Sequence, residues 1–235
     1  MKNIGNKNKF VVTKIVKETP DIVTISLSPT GRGLAHKAGQ YVTVYLDDDE
    51  NSRGKLYTIS SSPTEKTLTI SVKKIGQFSS ALHDLKVKDA VYLSDSNGWF
   101  YPEIKMKKIV FLAAGIGITP FFSILKDYAD KKIEKEIDLY YTNKTFKDIA
   151  FYKELNKLAK NDFVHIHCHL TRDNTKHSSI SNYERIGIGN MKKELGNLID
   201  RNFYICGPIN FVSDMRKQLI KFKVKEKGIF TESFY

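Results

Sequence analysis

A turn with two glycines is the stretch of this sequence best suited to binding an anion. The apolar residues 109–114 predict a buried strand, and Gly115 and Gly117 follow it directly. These glycines allow a tight turn and a close approach of the backbone to a ligand. Thr119 can cap the next helix, and Pro120 suits its first turn. Main-chain N–H groups at such a helix start could hold a pyrophosphate, although an ordinary strand–helix turn has the same pattern.

Two further segments follow predicted strands and would meet this turn at one edge of a parallel sheet. The first contains Thr171 and Arg172, and the second contains Cys206, Gly207 and Pro208. Each could be a plain loop, but three such segments together favour a dinucleotide site. No acidic residue that could grip a ribose 2′-hydroxyl follows the second strand, where Asn143-Lys144-Thr145 stands. Arg172 and Lys144 would instead suit a 2′-phosphate through charge-assisted hydrogen bonds.

The first half of the chain has its own candidate binding residues. Tyr57 and Thr58 leave a strand just before residues 60–63, which read Ser-Ser-Ser-Pro. Tyr57 could be half-exposed core, or it could stack on a planar ring and bond through its hydroxyl. The segment Gly76-Gln77-Phe78-Ser79 opens a short helix predicted over residues 79–85. It either caps that helix or also offers N–H donors to an anion.

Two regions with different hydrophobic patterns must position these residues. Residues 10–105 contain short strands separated by Gly, Pro, Asp and Asn, which predicts a β-barrel or sandwich. Beyond residue 105, strand-like runs alternate with helical ones, which predicts an α/β domain with a five-stranded parallel sheet. The predicted helices of this region cover residues 120–129, 147–159, 191–199 and 211–221. We therefore predict two domains, 1–104 and 105–235.

Composition limits the classes of protein and partner. At 235 residues with 41% hydrophobic residues, the chain is long enough for one large domain or two modest ones. Its formal charge of +12 is spread along the sequence and favours an acidic partner, such as a nucleotide or a small acidic protein. No docking motif for nucleic acid and no apolar run of membrane-spanning length is present.

Few residues could bind a metal or form a disulfide. The two cysteines, Cys168 and Cys206, have no metal-ligand spacing. His165, His167 and His169 alternate along a predicted strand, but no carboxylate or further histidine is evidently placed to complete a site. We expect a structural role for them and no bound metal. Because the first nine residues are polar and basic, we also expect no signal peptide and a reduced cytoplasmic location.

Five motifs in this order resemble those of the ferredoxin–NADP reductase superfamily, over nearly the full length of the chain. They are Gly39-Gln40-Tyr41, Leu56-Tyr57-Thr58-Ile59-Ser60-Ser61-Ser62-Pro63, Gly76-Gln77-Phe78-Ser79, Gly115-Ile116-Gly117-Ile118-Thr119-Pro120 and Cys206-Gly207-Pro208, with Glu232-Ser233-Phe234 at the end. The resemblance implies an FAD-binding antiparallel barrel followed by a NAD(P)-binding α/β domain. It also implies hydride transfer from NADPH or NADH to bound FAD, and then electron release to an external acceptor.

The resemblance implies roles for residues of the flavin site. Tyr57 would pack on the isoalloxazine ring, and Thr58 would hydrogen-bond near the flavin N5 atom. Gly76 and Ser79, with the intervening residues, would hold the FAD pyrophosphate, and Phe234 would cover the flavin face. The family expects an arginine two residues before the tyrosine, where Lys55 stands, and lysine supplies the charge without a bidentate fork. Arg53 could substitute if the loop bulges.

The resemblance implies a second set of roles, for the nicotinamide nucleotide. Its pyrophosphate would be held by four residues of the glycine turn: Gly115, Gly117, Thr119 and Pro120. Cys206 would lie against the nicotinamide, in a loop shaped by Gly207 and Pro208, and Glu232 would relay a proton or charge. Thr171 and Arg172 resemble the segment that grips the 2′-phosphate in NADPH-using members.

The electron acceptor is implied only in outline. The chain has no cysteine set for an attached iron–sulfur cluster and no room for a globin, so we expect a stand-alone module that reduces another molecule. Its positive charge favours an acidic carrier such as ferredoxin or flavodoxin. Reduction of free flavin, quinone or oxygen, and an electron-relay role inside a larger redox complex, stay open as alternatives.

Overall fold

An antiparallel barrel forms the first half of the computed structural model, which describes residues 7–49, 51–173, 175–178, 180 and 182–234. Its strands are β1 (Asn8–Lys17), β2 (Ile22–Pro29), β3 (Tyr41–Tyr45), β4 (Lys55–Thr58), β5 (Leu68–Lys73) and β6 (Ala90–Leu93). They lie in the order β4-β3-β6-β1-β2-β5, and a bridge between Ile59 and Ile70 joins the two ends of the sheet. This closure protects the outer strands from pairing elsewhere.

Alternate residues of these strands fill the barrel interior. In β3, Val42 and Val44 are buried while the residues between and beside them are partly exposed, as the period of two requires. The short helix α1 (Gln77–Asp84) begins two residues earlier than predicted and buries Leu82 against this core. His83 Nε2 lies 2.9 Å from the carbonyl oxygen of Val72, so the helix is held beside β5.

A parallel sheet of five strands forms the second half. The strands are β7 (Lys108–Ala114), β8 (Glu136–Asn143), β9 (Val164–Leu170), β10 (Asn202–Pro208) and β11 (Ile229–Phe234), in the order β11-β10-β7-β8-β9. The helices are α2 (Thr119–Lys131), α3 (Tyr152–Leu158), α4 (Ile188–Leu195) and α5 (Ile209–Lys221). The predicted fold class is therefore confirmed. Across the described ranges, no helix has both the length and the apolar character needed to cross a bilayer.

The central strand β7 is buried because helices cover both faces of the sheet. Every residue of the strand except Lys108 is buried. Phe121 of α2 stacks on Phe111 from one side, with the ring centroids 4.5 Å apart. Leu112 belongs to the apolar cluster that includes Leu219 of α5. An apolar run without alternation is the expected pattern for a parallel strand covered on both faces.

The single helix predicted over residues 147–159 is wrong. A one-turn 3₁₀ helix (Phe146–Asp148) comes first, and α3 begins only at residue 152. Asp148 Oδ2 accepts hydrogen bonds from the main-chain N–H and the hydroxyl of Thr145, at 2.9 and 2.8 Å, and so closes the first turn. Phe151 then adopts a left-handed φ of 59°, which costs about 1–2 kcal/mol. Its ring stacks on Phe122 at 4.0 Å, and this buried contact offsets the cost.

Two smaller predictions also need correction. The helix predicted over residues 191–199 lies earlier in the chain, at α4, because Gly196 ends it with a φ of 70°. Thr119 does not cap α2. A 3₁₀ turn (Gly115–Ile118) leads directly into that helix, so Thr119 is its first residue and its hydroxyl donates to the carbonyl oxygen of Ile116 at 3.0 Å.

A lysine holds the linker between the barrel and the parallel sheet. The Lys135 ammonium donates to the carbonyl oxygens of Glu103, Ile104 and Met106, at 2.8, 3.2 and 2.7 Å. Lys135 is buried, and this burial lowers the pKa of its ammonium. Three carbonyl oxygens on one ammonium satisfy all of its donors and fix the path of the linker.

Candidate functional site

A cavity of about 920 Å³ opens between β4, the start of α1 and the end of β11. Ten of the predicted cofactor-binding residues line it: Lys55, Leu56, Tyr57, Thr58, Gly76, Gln77, Phe78, Ser79, Thr119 and Phe234. The barrel supplies most of this wall. Residues of the second half, among them Ile116 and Ser233, close one side.

Aromatic rings stand on the barrel side of this first cavity. The rings of Tyr57 and Phe78 are 6.3 Å apart between centroids, with their planes only 21° from parallel. Thr58 lines the cavity, is 5% exposed and pairs with Tyr41 across β3 and β4, so its backbone is fixed by the sheet. Apolar walls with a few fixed polar groups suit a planar ring that carries polar edges.

The start of α1 forms the polar end of the first cavity. Gly76 precedes the helix in an extended conformation, and a Cβ atom there would meet no atom within 4 Å. The Ser79 hydroxyl accepts from the main-chain N–H groups of Ile75 and Gly76, at 2.8 and 3.0 Å. Ser79 therefore stabilises the helix start with its side chain, and main-chain N–H groups of the first turn are the donors suited to an anion.

A second cavity, of about 890 Å³, lies at the carboxyl ends of the parallel strands. Four of the predicted residues, Gly115, Thr171, Arg172 and Pro208, line it, and Phe234 lines both cavities. Five cationic side chains also belong to its wall: Lys73, Lys74, Lys144, Arg172 and Arg185. Three aspartates, Asp21, Asp148 and Asp214, share the wall with them. This donor set suits a phosphorylated anion.

Two loops at the second cavity are tied together by main-chain hydrogen bonds. The N–H of Arg172 donates to the carbonyl oxygen of Lys144 at 2.8 Å, so these two cationic residues lie side by side. Asp173 accepts from the N–H groups of Phe146 and Thr175, at 2.8 and 2.9 Å, and these bonds hold the pKa of its carboxyl below the usual value. Asp173 ends the candidate segment that contains Thr171 and Arg172 but was given no role of its own, and it joins the loop after β9 to the loop after β8.

Asn143 presents a buried amide at the second cavity. Its side chain is 6% exposed, and neither amide atom has a hydrogen-bond partner of normal geometry among the described residues, although the Tyr141 hydroxyl is nearby. A buried amide without partners costs free energy unless a ligand or water satisfies it. The amide is therefore suited to bonding a ligand in this cavity.

The glycine turn has the tight geometry that was predicted. Gly115 has a φ of 55°, in the left-handed region that favours glycine. Gly117 lies against the main chain of Cys206, so the close approach is made to the end of β10. The turn and β10 are thereby locked together, with Gly115 on the second cavity and Thr119 on the first.

Five predicted residues line neither of these two cavities: Gly117, Pro120, Cys206, Gly207 and Glu232. Cys206 is fully buried and stands opposite Glu232 in the parallel register of β10 and β11. Burial, and then the Glu232 carboxylate, raise the pKa of the Cys206 thiol well above its usual value. Burial likewise raises the pKa of Glu232 to about 7. The thiol therefore stays protonated at neutral pH, where the carboxyl can gain or lose a proton.

The two cavities adjoin each other. Four residues line both of them: Lys73, Ile75, Ile116 and Phe234. Lys73 was not among the predicted residues; it ends β5, three residues before Gly76. Its ammonium is 3.3 Å from Asp21 and lies 3.9 Å from the position of a Cβ atom on Gly115. The shared wall thus combines apolar side chains with one cation.

Two of the three histidines of β9 pack against neighbouring groups, whereas His165 is exposed. His167 stacks on Tyr140 with the ring centroids 4.3 Å apart, and His169 Nδ1 lies 3.2 Å from the carbonyl oxygen of Glu184. In the part of the chain that the structure describes, no group of three or more His, Cys, Asp or Glu side chains could hold a metal ion.

Comparisons with known proteins bear on this geometry. The family model described as "Oxidoreductase NAD-binding domain" matches residues 111–217. The flavohemoprotein of Bacillus subtilis (strain 168) is 30% identical over 96% of this chain and 58% of its own length. The glycine betaine monooxygenase reductase subunit of Pseudomonas aeruginosa is 27% identical over 88% of this chain and 58% of its own length. A ferredoxin–NADP⁺ reductase from Neisseria gonorrhoeae, solved with FAD and NADP, shares the fold with a TM-score of 0.85 at 20% identity, covering 97% of this chain and 99% of that one.

The two-domain fold and the NAD-binding family model are those of flavin and nicotinamide-nucleotide oxidoreductases. The family model, these relatives and the shared fold support this chain's membership of the ferredoxin–NADP reductase superfamily and its binding of FAD and NAD(P). Its residues fit both groups, because the first cavity joins aromatic walls to a helix start and the second is cationic. The chain spans 58% of the length of each of the two curated relatives described above.

Proposed function

We propose that this chain moves a hydride from NADPH, or NADH, to FAD and passes the electrons to an acceptor protein. The observation that carries the proposal is the shared wall of the two cavities. Holding two reactants side by side turns a bimolecular step into a nearly unimolecular one. The bound nucleotides supply the redox chemistry, with hydride passing from nicotinamide to flavin, while the chain supplies binding and orientation.

Residues 1–104 would form the FAD-binding domain. Tyr57 would pack against the isoalloxazine ring, and the Thr58 hydroxyl would bond near its N5 edge. The helix start at residues 76–79 would hold the pyrophosphate through main-chain N–H groups. Lys55 and Leu56 would flank the open side, and the exposure of Lys55 supports a single charge contact there.

Residues 105–235 would form the NAD(P)-binding domain. The turn that contains Gly115 would hold the pyrophosphate, and Gly117 and Pro120 would shape it from behind. Arg172 and Lys144 would bind a 2′-phosphate. The main-chain hydrogen bond that holds these two cationic residues side by side supports a preference for NADPH. Thr171 would position Arg172, since its own N–H and hydroxyl both donate to the carbonyl oxygen of Asn143.

Cys206, Gly207 and Glu232 would act from behind the shared wall. Glu232, with its pKa near 7, would exchange a proton with the site as charge on the flavin changes. The protonated Cys206 thiol would support the nicotinamide side, in a loop shaped by Gly207 and Pro208. Phe234 lines both cavities, which supports a role as the ring that covers the flavin.

The first experiment tests the cofactor chemistry. The purified protein is loaded with FAD, and NADPH or NADH is added without oxygen while the flavin absorbance is recorded. Bleaching supports the proposal. A protein that does not bind FAD, or whose flavin stays oxidised with both nucleotides, would refute it.

The acceptor would be an acidic carrier such as ferredoxin or flavodoxin. The net charge of +12 supports this choice, because opposite charges speed the encounter. Rates of carrier reduction should fall as ionic strength rises, since the screening length is about 10 Å at 0.1 M salt. Reduction rates that do not change with ionic strength would argue for an uncharged acceptor such as quinone or free flavin. Both cysteines are free thiols, which supports a reduced cytoplasmic location.

A second candidate is an electron-relay component of a larger redox complex. The relative from Pseudomonas aeruginosa, which is a monooxygenase reductase subunit, favours this role. Size-exclusion chromatography of native extract distinguishes the two candidates. A stand-alone enzyme should elute near 26.9 kDa, and a relay component should elute with its partner.

A further inference from the structure

A buried hydrogen bond joins the barrel to helix α2. The Ser123 hydroxyl donates to the carbonyl oxygen of Ser61 at 2.6 Å, and both side chains are completely buried. His36 Nε2 lies 3.4 Å from the same oxygen. A short bond in a buried place is directional, so it fixes where the helix stands relative to the loop after β4.

Two outer contacts continue the same junction. Lys126 Nζ lies 2.5 Å from Glu65 Oε2, and the Thr64 hydroxyl donates to the Asp130 carboxylate. Ser123, Lys126 and Asp130 are three and four residues apart, so they share one face of the helix. We call these contacts, between residues 61–65 and this face of α2, the loop–helix clamp.

The clamp lies a short way along the chain from both sides of the first cavity. Ser61 comes three residues after Thr58, and Ser123 comes one helical turn after Thr119. Thr58 and Thr119 line the same cavity from its two sides. The oxygen of Glu65 that faces Lys126 also accepts from the N–H of Ser62 at 2.6 Å, which stiffens the loop. A shift of the clamp residues would therefore also move the residues on the two sides of the first cavity.

We propose that the loop–helix clamp sets the distance between the nicotinamide turn and the flavin strand, with Ser123 as its positioning residue. The inference rests on the proposed function and adds to it the part of the chain that aligns the two rings. Hydride transfer needs reacting atoms within about 3–3.5 Å, and a misplacement of about 1 Å can cost roughly 100-fold in rate. Apolar contacts across the junction are not directional, whereas the Ser123 bond is.

The test replaces Ser123 with alanine in the FAD-loaded protein. Ser123→Ala removes the donor without adding bulk. The rate of flavin bleaching in a single turnover with saturating NADPH should fall about tenfold. The affinities for FAD and NADPH should change less than about twofold, because neither cavity loses a lining residue. A bleaching rate within about twofold of the unaltered protein would overturn the inference.

A matched serine separates alignment from general loss of stability. Ser94→Ala also removes a bonded hydroxyl, which accepts from the N–H of Thr43 at 2.9 Å within the barrel. Both variants should unfold at lower denaturant concentration, but Ser94→Ala should keep the full bleaching rate. If both variants lost rate in proportion to stability, Ser123 would be structural only and the inference would fail.

Variants of Lys126, at the partly exposed end of the clamp, provide a second test if Ser123→Ala does not fold. Lys126→Met should slow bleaching about threefold, and Lys126→Arg should restore most of the rate because it keeps the charge facing Glu65. Equal rates in both variants and the unaltered protein would overturn the role of the clamp. Failure of the proposed function is a separate result, since the unaltered protein itself would then not bleach.

Discussion

The Cβ position of Gly117 falls 2.2 Å from the main-chain oxygen of Cys206. A real Cβ atom cannot stand so close to a carbonyl oxygen, so the glycine turn and β10 meet backbone to backbone. In the parallel ladder of β7 and β10, Cys206 pairs with Ala113 at the carboxyl ends of the two strands. The turn that lines the second cavity is therefore positioned by the strand that carries the buried thiol.

Replacing Gly117 should damage this contact. Gly117→Ala would push β10 away from the turn and lower the free energy of unfolding by about 1–3 kcal/mol. It should also weaken NADPH binding, because the turn would shift. Denaturant unfolding and nucleotide titration measure the two effects. Gly31→Ala is the control, since a Cβ atom there meets nothing within 4 Å; equal stability of both variants would contradict the prediction.

Arg172 should distinguish the two nicotinamide nucleotides. Arg172→Ala removes a cation beside Lys144 and should raise the KM for NADPH roughly 10- to 100-fold, the worth of a charge-assisted hydrogen bond. The KM for NADH should change far less, because NADH has no 2′-phosphate. Steady-state rates with both nucleotides give the comparison, and Arg32→Ala in an exposed loop of the barrel serves as control. Equal effects on both nucleotides would refute the 2′-phosphate role.

Glu232 should make folding stability depend on pH. Its pKa is about 7 in the folded protein and 4.5 as a free side chain, so the folded state binds more protons between these values. Its stabilising effect is therefore full below pH 4.5 and is lost as pH rises through 7, by about 3 kcal/mol. Denaturant unfolding across this range should show a decline that Glu232→Gln removes. Glu134→Gln, at an exposed site, controls for charge and should leave the decline in place.

Lys73 should support both nucleotides. Lys73→Met removes the cation of the shared wall and should weaken the binding of FAD and of NADPH, each severalfold. Fluorescence titration of the two ligands tests this. Lys9→Met, an exposed lysine of β1, is the matched control. Loss of affinity for only one nucleotide would place Lys73 in one cavity alone.

The sequence was sufficient to predict the elements whose signals lie close together in the chain. The apolar run of β7 and the glycines after it predicted the central strand and its turn. The motif around Tyr57 and the segment from Gly76, both singled out in the sequence, line one cavity. Each of these signals lies within about ten consecutive residues.

Long-range contacts explain what the sequence could not predict. Phe151 breaks the predicted helix because Phe122, far away in the chain, offers a ring to stack on. Lys73 reaches the second cavity only because barrel and parallel sheet adjoin. The Ser61 carbonyl and the Ser123 hydroxyl are 62 residues apart, and no pattern of residue types marks their bond. Glycine 196, by contrast, was a visible stop signal for α4.

The hydrogen bonds from the Lys135 ammonium to the carbonyl groups of Glu103, Ile104 and Met106 limit where the two halves of such a chain can be joined in a chimera. A chimera spliced after residue 104 would draw two acceptors from one parent and the donor from the other. Any sequence can supply the main-chain acceptors, provided that the linker keeps its length. The ammonium, in contrast, must come from a lysine at position 135. A graft that starts upstream of Glu103 would transfer the lysine and all three of its acceptors together.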